Sequence, residues 1–305
     1  MPGVMMADEI IWTIPKPLST YDVAVDDETV ITLRQHGNPS GPRLVLCHGN
    51  GLAIDLYYPF WSLLVEDFEI IVYDLRNHGW NPVSSMGNHT LPILVQDHDK
   101  VLAAIDTRYG NKPKVGVFHS VSALVTLLSP NKGDEFVARV LFDPPLCKPG
   151  RGYVEFEEAA TRLATMARRR TPRFKTREEL ASVLPYLPPF NHAVAGIGDL
   201  YTRAILRESE DKDGYELRCP REYEAQIMEY ASTFAVLVDF ESVLCPTKVI
   251  GADPTLPYSY LPSLDLSDVI TVGYDFLPDA THFLQLEQPQ ECVELLREFL
   301  DPLIG

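Results

Sequence analysis

The stretch KPKVGVFHSVSALVTLL, Lys112–Leu128, decides the fold. An apolar run halts at Ser120, with His119 before it and the small residues Ser122 and Ala123 after it, and a second apolar run follows. Two structures fit this pattern. One is a strand that turns sharply into a helix around a working serine. The other is a buried core segment whose hydroxyls bond locally. A nucleophile turn lifts the serine Oγ clear of the sheet and aims the next backbone N–H at the same point, and it needs small neighbours because strand and helix nearly touch. Its usual form is G-x-S-x-G. Here the five residues are Phe118-His119-Ser120-Val121-Ser122, small two places after the serine but bulky two places before it. On this pentapeptide alone both readings stand.

Outward from it, the opening third reads as strands at Glu9–Ile14, Tyr21–Val25 and Thr29–Gly37. Short apolar strands then alternate with helices: strand Arg43–Gly49, helix Asp55–Glu66, strand Glu69–Asp74, helix Leu91–Arg108, the quoted strand with helix Val121–Ser129, and strand Ala138–Pro144. The helix Leu91–Arg108 rests on apolar residues at helical spacing. The alternation resumes with strands Thr247–Pro254 and Asp268–Asp275 and a final helix, Pro289–Leu300. Such a pattern predicts an α/β protein with a mostly parallel sheet covered by helices on both faces. From Cys147 to Val238 the alternation breaks into a helix-rich, proline-studded segment. The expected division is a core of residues 1–146 and 239–305 with a helical cap, 147–238, over the sheet edge where open α/β sheets bind ligands.

Further motifs fall at strand ends in a telling order: CHGNG (Cys47–Gly51), YDLRNHGWN (Tyr73–Asn81), IGADP (Ile250–Pro254) and DATHFLQLEQP (Asp279–Pro289). Each is weak alone. Together, from about Arg43 to Leu300, they resemble the α/β-hydrolase fold of the large capped group, in which the triad runs Ser…Asp…His along the chain. The resemblance implies a nucleophilic Ser120, a base His282 and a carboxylate that orients the imidazole. Asp253 holds the usual place of that acid, although GAD is one residue tighter than the commoner G-x-x-D. Asp143, in LFDPP, is the alternative. Backbone N–H groups of Asn50 and Val121 are the expected oxyanion donors, and Asn50 has a side-chain amide to offer as well. His48, Asp74, Arg76 and His78 read as braces of their loops, and His119 as a packed neighbour of the serine.

Composition narrows the class. The chain of 305 residues carries a net charge of −17, which argues against nucleic acid and anionic membrane surfaces. Its five cysteines are widely spaced without a CxxC pair, the pattern of free thiols, so neither disulfides nor a metal site is expected. No signal peptide or spanning segment is legible, and a cytoplasmic protein is expected. The cluster QDHDK (Gln96–Lys100) places its acids off the His98 face of a helix, and the basic run Ala167–Arg177 reads as a solvated cap-helix face, with selection of an anionic substrate entering under the cap as the alternative. The leading expectation is a serine esterase, thioesterase or lactonase acting on a small to medium, largely apolar carbonyl substrate without a cofactor. The alternatives are C–C hydrolysis or acyl transfer by the same triad, or a non-catalytic binding protein, for which Phe118 and the tight GAD are the motives. The oligomeric state is not legible.

Overall fold

The computed structural model describes residues 10–147, 152–187, 190–256 and 272–304. Its main sheet contains β1 (Ser19–Ala24), β2 (Val30–Gly37), β3 (Arg43–Cys47), β4 (Glu69–Val72), β5 (Lys114–His119) and β6 (Ala138–Phe142). Between β6 and the next strand of this sheet lie three short strands, β7 (Arg173–Phe174), β8 (Leu206–Glu208) and β9 (Tyr215–Leu217), and then come β10 (Thr247–Gly251) and β11 (Val272–Phe276). The eight-stranded order is β1-β2-β4-β3-β5-β6-β10-β11. β1 and β2 pair antiparallel, β2 meets β4 antiparallel, and every later pair is parallel.

The strand residues alternate between two cores. Leu44, Leu46, Val115 and Val117 face one core, whereas Val45, Cys47, Phe118 and Leu141 face the other. A strand buried on both faces reads as a continuous apolar run, which is why β3 and β6 are buried throughout. The helices are α1 (Tyr58–Trp61), α2 (Leu91–Tyr109) and α3 (Val121–Leu128), then α4 (Tyr153–Arg169), α5 (Arg177–Ala181), α6 (Ile197–Ile205) and α7 (Arg221–Ala235), and finally α8 (Leu284–Glu287) and α9 (Pro289–Ile304). The helices α2 and α3 cover one face of the sheet, and α1, α8 and α9 the other.

Three sequence expectations change. Glu9 and the first residues of the strand expected at Asp268 lie outside the described residues, and Ile10–Ile14 forms no strand. Trp12 instead reaches over to donate its indole N–H to the Ala195 carbonyl. The helix expected at Asp55–Glu66 is broken into 3-10 turns, Ile54–Tyr57 and Ser62–Leu64, on either side of the single turn α1. The segment between β6 and β10 is not purely helical: its polar stretch closes an antiparallel sheet, β7-β9-β8. Its two longest helices, α4 and α7, pack through Ala164, Ala167 and Ala225, small residues that let the axes approach closely.

Candidate active site

Ser120 sits between β5 and α3 with φ 53° and ψ −121°. A non-glycine residue there is strained by on the order of 1–3 kcal/mol, and neighbouring bonds hold it in place. Its N–H donates to the Phe142 carbonyl of the adjacent strand at 2.9 Å, and its carbonyl accepts from Leu124 at 3.0 Å. Ser122 Oγ accepts from the His119 N–H at 3.1 Å and lies 3.0 Å from the Cys47 carbonyl, which ties the helix start to β3. The bulky Phe118 fits because Gly116 leaves room: a Cβ on Gly116 would come within 2.5 Å of the Phe118 ring. That ring packs edge-on against His98 and Phe136.

His282, on the loop between β11 and α8, brings Nε2 to 3.0 Å from Ser120 Oγ, and its Nδ1 lies 2.6 Å from Asp143 Oδ2. The carboxylate beside the ring is therefore Asp143, not Asp253. The sheet order gives the reason: β6 adjoins β5, whereas β10 lies one strand further out. Asp143, just past β6, takes a left-handed φ of 39° and is fully buried. Its Oδ1 accepts from the Ala252 N–H at 3.1 Å, which leaves Oδ2 for the imidazole. Asp253 has other partners. Its Oδ1 accepts from the Thr255 hydroxyl at 2.7 Å and its Oδ2 from the Asp279 N–H at 2.9 Å, so it shapes the loop that leads to His282. The Thr255 hydroxyl first, and then the Asp279 and Thr255 N–H groups, hold its carboxyl below the usual range.

His119 is a buried connector. Its Nε2 donates to the His282 carbonyl at 2.8 Å, so Nδ1 carries the lone pair and accepts from the Tyr57 hydroxyl at 2.6 Å. Tyr57 in turn accepts from the Gly49 N–H at 3.1 Å. Burial first, and then the neighbouring His282, press the His119 pKa well below its ordinary value and keep the ring neutral. Gly49 must be glycine, because a Cβ there would lie 2.8 Å from His119 Nδ1 and 3.0 Å from Ser120 Cβ. The Gly49–Gly51 loop thus lies directly against the serine. Asn50 and Val121 both border the cavity into which Ser120 opens. Val121 begins α3, where the first N–H groups have no acceptor within the helix. The Asn50 side chain is turned elsewhere: Nδ2 donates to the Glu224 carbonyl of α7 at 2.7 Å, and Oδ1 is buried without a partner.

The cavity has a volume of about 360 Å³. Its walls are mostly apolar, from Phe156, Leu163, Met228 and Phe283 among others, and the segment between β6 and β10 supplies most of them. Of the loop residues expected as braces, Asp74 accepts from the Ile54 N–H at 2.8 Å and pairs with Arg34 at 2.7 Å. Arg76 pairs with Asp97 at 2.5 Å.

Sequence reading missed Tyr57, Glu224 and Glu287. The last accepts from the Thr281 N–H at 2.6 Å, one residue before the imidazole. Tyr57 and Glu224 stand in no motif, whereas Glu287 lies within DATHFLQLEQP and only its local hydrogen bonds went unread. Among the described residues, His78, His89 and Cys219 bring potential metal-ligand atoms within 4.8 Å of one another. Their hydrogen bonds do not suit a metal. Gly51 N–H donates to His78 Nε2 at 3.1 Å, and the His78 Nδ1 proton goes to the Arg76 carbonyl at 2.8 Å. Asn77 Nδ2 donates to His89 Nδ1 at 3.0 Å, because its Oδ1 is committed to Ser84 N–H, and so the His89 proton lies on Nε2.

A hydroxyl, an imidazole and a buried carboxylate in line can pass a proton from the first to the second while the third keeps the ring oriented. A model of the alpha/beta hydrolase family matches residues 44–295. No curated protein sequence matches the chain. Solved structures similar to it include an E-2-(acetamidomethylene)succinate hydrolase, with TM-score 0.74 and 16% identity over 93% of this chain and 99% of that one. A thioesterase domain from the curacin biosynthetic pathway has TM-score 0.67 and 15% identity over 91% of this chain and 99% of its own. A thermophilic esterase from Thermogutta terrifontis has TM-score 0.64 and 19% identity over 94% and 100% of the two chains.

Proposed function

Because the chain belongs to the alpha/beta hydrolase family, we propose that it is a serine hydrolase that cleaves an ester, thioester or lactone of a small to medium, largely apolar carbonyl substrate. The observation that carries this reading is the 3.0 Å approach of Ser120 Oγ to His282 Nε2 at a strained turn that opens into the cavity.

In this reading His282 takes the Ser120 proton as Oγ attacks the carbonyl carbon, and Asp143 stabilises the imidazolium that forms. The oxyanion of the tetrahedral intermediate accepts from the Asn50 and Val121 N–H groups. His282 then passes its proton to the leaving alcohol or thiol, and an acyl group remains on Ser120. A water molecule deprotonated by His282 releases that acyl group and restores the hydroxyl. The insertion between β6 and β10 acts as the cap that shapes the pocket and holds back bulk water.

Neither Phe118 nor the tight GAD turn requires a non-catalytic receptor. Phe118 occupies space that Gly116 provides, and the GAD spacing does not matter to an acid carried by β6. Among the described residues no helix is long and apolar enough to cross a membrane. Cys47, Cys219, Cys245 and Cys292 are buried free thiols, which supports a reducing, cytoplasmic setting for the reaction.

A fluorophosphonate probe should label the protein covalently at Ser120. Hydrolysis of short p-nitrophenyl esters should fall at least about 10³-fold in Ser120→Ala, with the melting temperature retained. Equal rates in the two proteins would remove the reading.

A further inference from the structure

The basic run Ala167–Arg177 is not a single solvated face. Arg168 pairs with Glu229 and Arg173 with Asp211 at the surface. Arg170 turns inward and borders the same cavity as Ser120. Its Nη1 pairs with Glu224, and its Nη2 donates to the Tyr201 hydroxyl at 3.1 Å. The ion pair is unequal: the Arg170 side chain keeps 26% of its surface accessible and Glu224 only 8%. Both side chains border the cavity, and of the two the cation is the more accessible. Guanidinium carries five N–H donors and no acceptor, so donors remain after these two bonds. The Tyr201 hydroxyl also has a proton to give, with no acceptor for it among the described residues.

An apolar ligand would leave these donors without a partner in a dry pocket, which is costly. A carboxylate ligand would bring a second negative charge beside Glu224. An uncharged carbonyl oxygen accepts from both donors and meets neither penalty. Resting on the serine-hydrolase reading, the geometry points to Arg170 as a specificity-determining residue, with Tyr201 beside it: the substrate carries, beyond its scissile carbonyl, an uncharged hydrogen-bond-accepting oxygen of amide, ketone or ester type. This site selects a bifunctional molecule, apolar in its body and neutral at its polar end.

Binding to the Ser120→Ala protein tests this without turnover. Calorimetry would compare methyl esters of increasing acyl length that end in a carboxamide, an isopropyl group of the same shape, or a carboxylate. At one chain length the carboxamide should bind about tenfold or more tighter than its isopropyl match, the scale of a hydrogen bond to a charged donor. In Arg170→Met/Glu224→Gln, which removes cation and anion together, the ratio of the two Kd values should fall toward one. Tyr201→Phe, a milder change that serves if the double variant fails to fold, should lower the ratio a few-fold. The inference is overturned by no carboxamide preference at any length, by tightest binding of the carboxylate, or by a ratio unchanged in the folded variants. Failure of the serine reading shows separately, as ester turnover that persists in Ser120→Ala.

Discussion

Asp143 and Asp253 are the two carboxylates whose fates differ most between sequence and structure. Both end parallel strands at the same edge of the sheet, and in the chain Asp253 stands in the more usual place. What separates them is the order of strands, because β6 adjoins the serine-bearing strand and β10 does not. Asp143→Asn should therefore lower kcat by about 10³–10⁴-fold, the scale of losing the correct imidazole tautomer. Asp253→Asn keeps an oxygen for Thr255 or for the Asp279 N–H but not for both, yet it does not touch the imidazole and should cost about tenfold or less. Steady-state kinetics of the two variants on one ester decide between them, and the reverse ranking would return the role to Asp253. The serine and the histidine were legible in the sequence because each lies in a local motif with a mechanical reason. The acid was not, because its partner is fixed by lateral strand pairing. Tyr57, which links Gly49 to His119 by hydrogen bonds of 3.1 and 2.6 Å, was hidden because only tertiary packing brings its hydroxyl to them.

At the scale of elements, strand β5 reads correctly despite its irregular turn. The bulk that G-x-S-x-G would exclude two places before the serine is admitted two residues earlier still, by Gly116. Gly116→Ala would push a methyl to within 2.5 Å of Phe118 Cε2, and should destabilise the protein by about 1–3 kcal/mol through overpacking. The shift should appear in the urea midpoint and be largely relieved by Phe118→Leu in the same chain. A double variant no more stable than Gly116→Ala alone would mean that the strain lies elsewhere. The elements that sequence reading missed are those set by tertiary contact rather than periodicity. The small strands β7, β8 and β9 are two or three residues long, too short for alternation to register. The stretch after Ala53 carries apolar residues at every offset, and Pro59 stands where the first 3-10 turn gives way to α1.

The molecule as a whole buries several histidines in neutral form. Burial first, then a nearby arginine in each case, depresses His36 to about 4 and His89 and His98 to about 3. An unfolded histidine titrates near about 6.5. Below that pH the unfolded chain takes up protons that the folded chain refuses, so this contribution to stability is complete above pH 6.5 and is lost as the pH falls toward the folded values. Each such histidine adds a slope of at most about 1.4 kcal/mol per pH unit in that window. Melting temperatures between pH 7 and pH 5 should fall steeply, and His98→Gln, which removes one of the buried imidazoles, should flatten the fall. An identical slope in that variant would show that His98 does not contribute.

Ser120 and Asp143 follow neighbouring strands that are each flanked on both sides, β5 by β3 and β6, and β6 by β5 and β10. Separating them means parting the middle of the sheet, the last region of such a protein to open. Heat should therefore spare this pair until the whole sheet melts cooperatively. The insertion overhead adds no strand to that sheet, since β7, β8 and β9 pair only with one another, and it should breathe at lower temperature, so warming would blur the choice of substrate before it silences the chemistry.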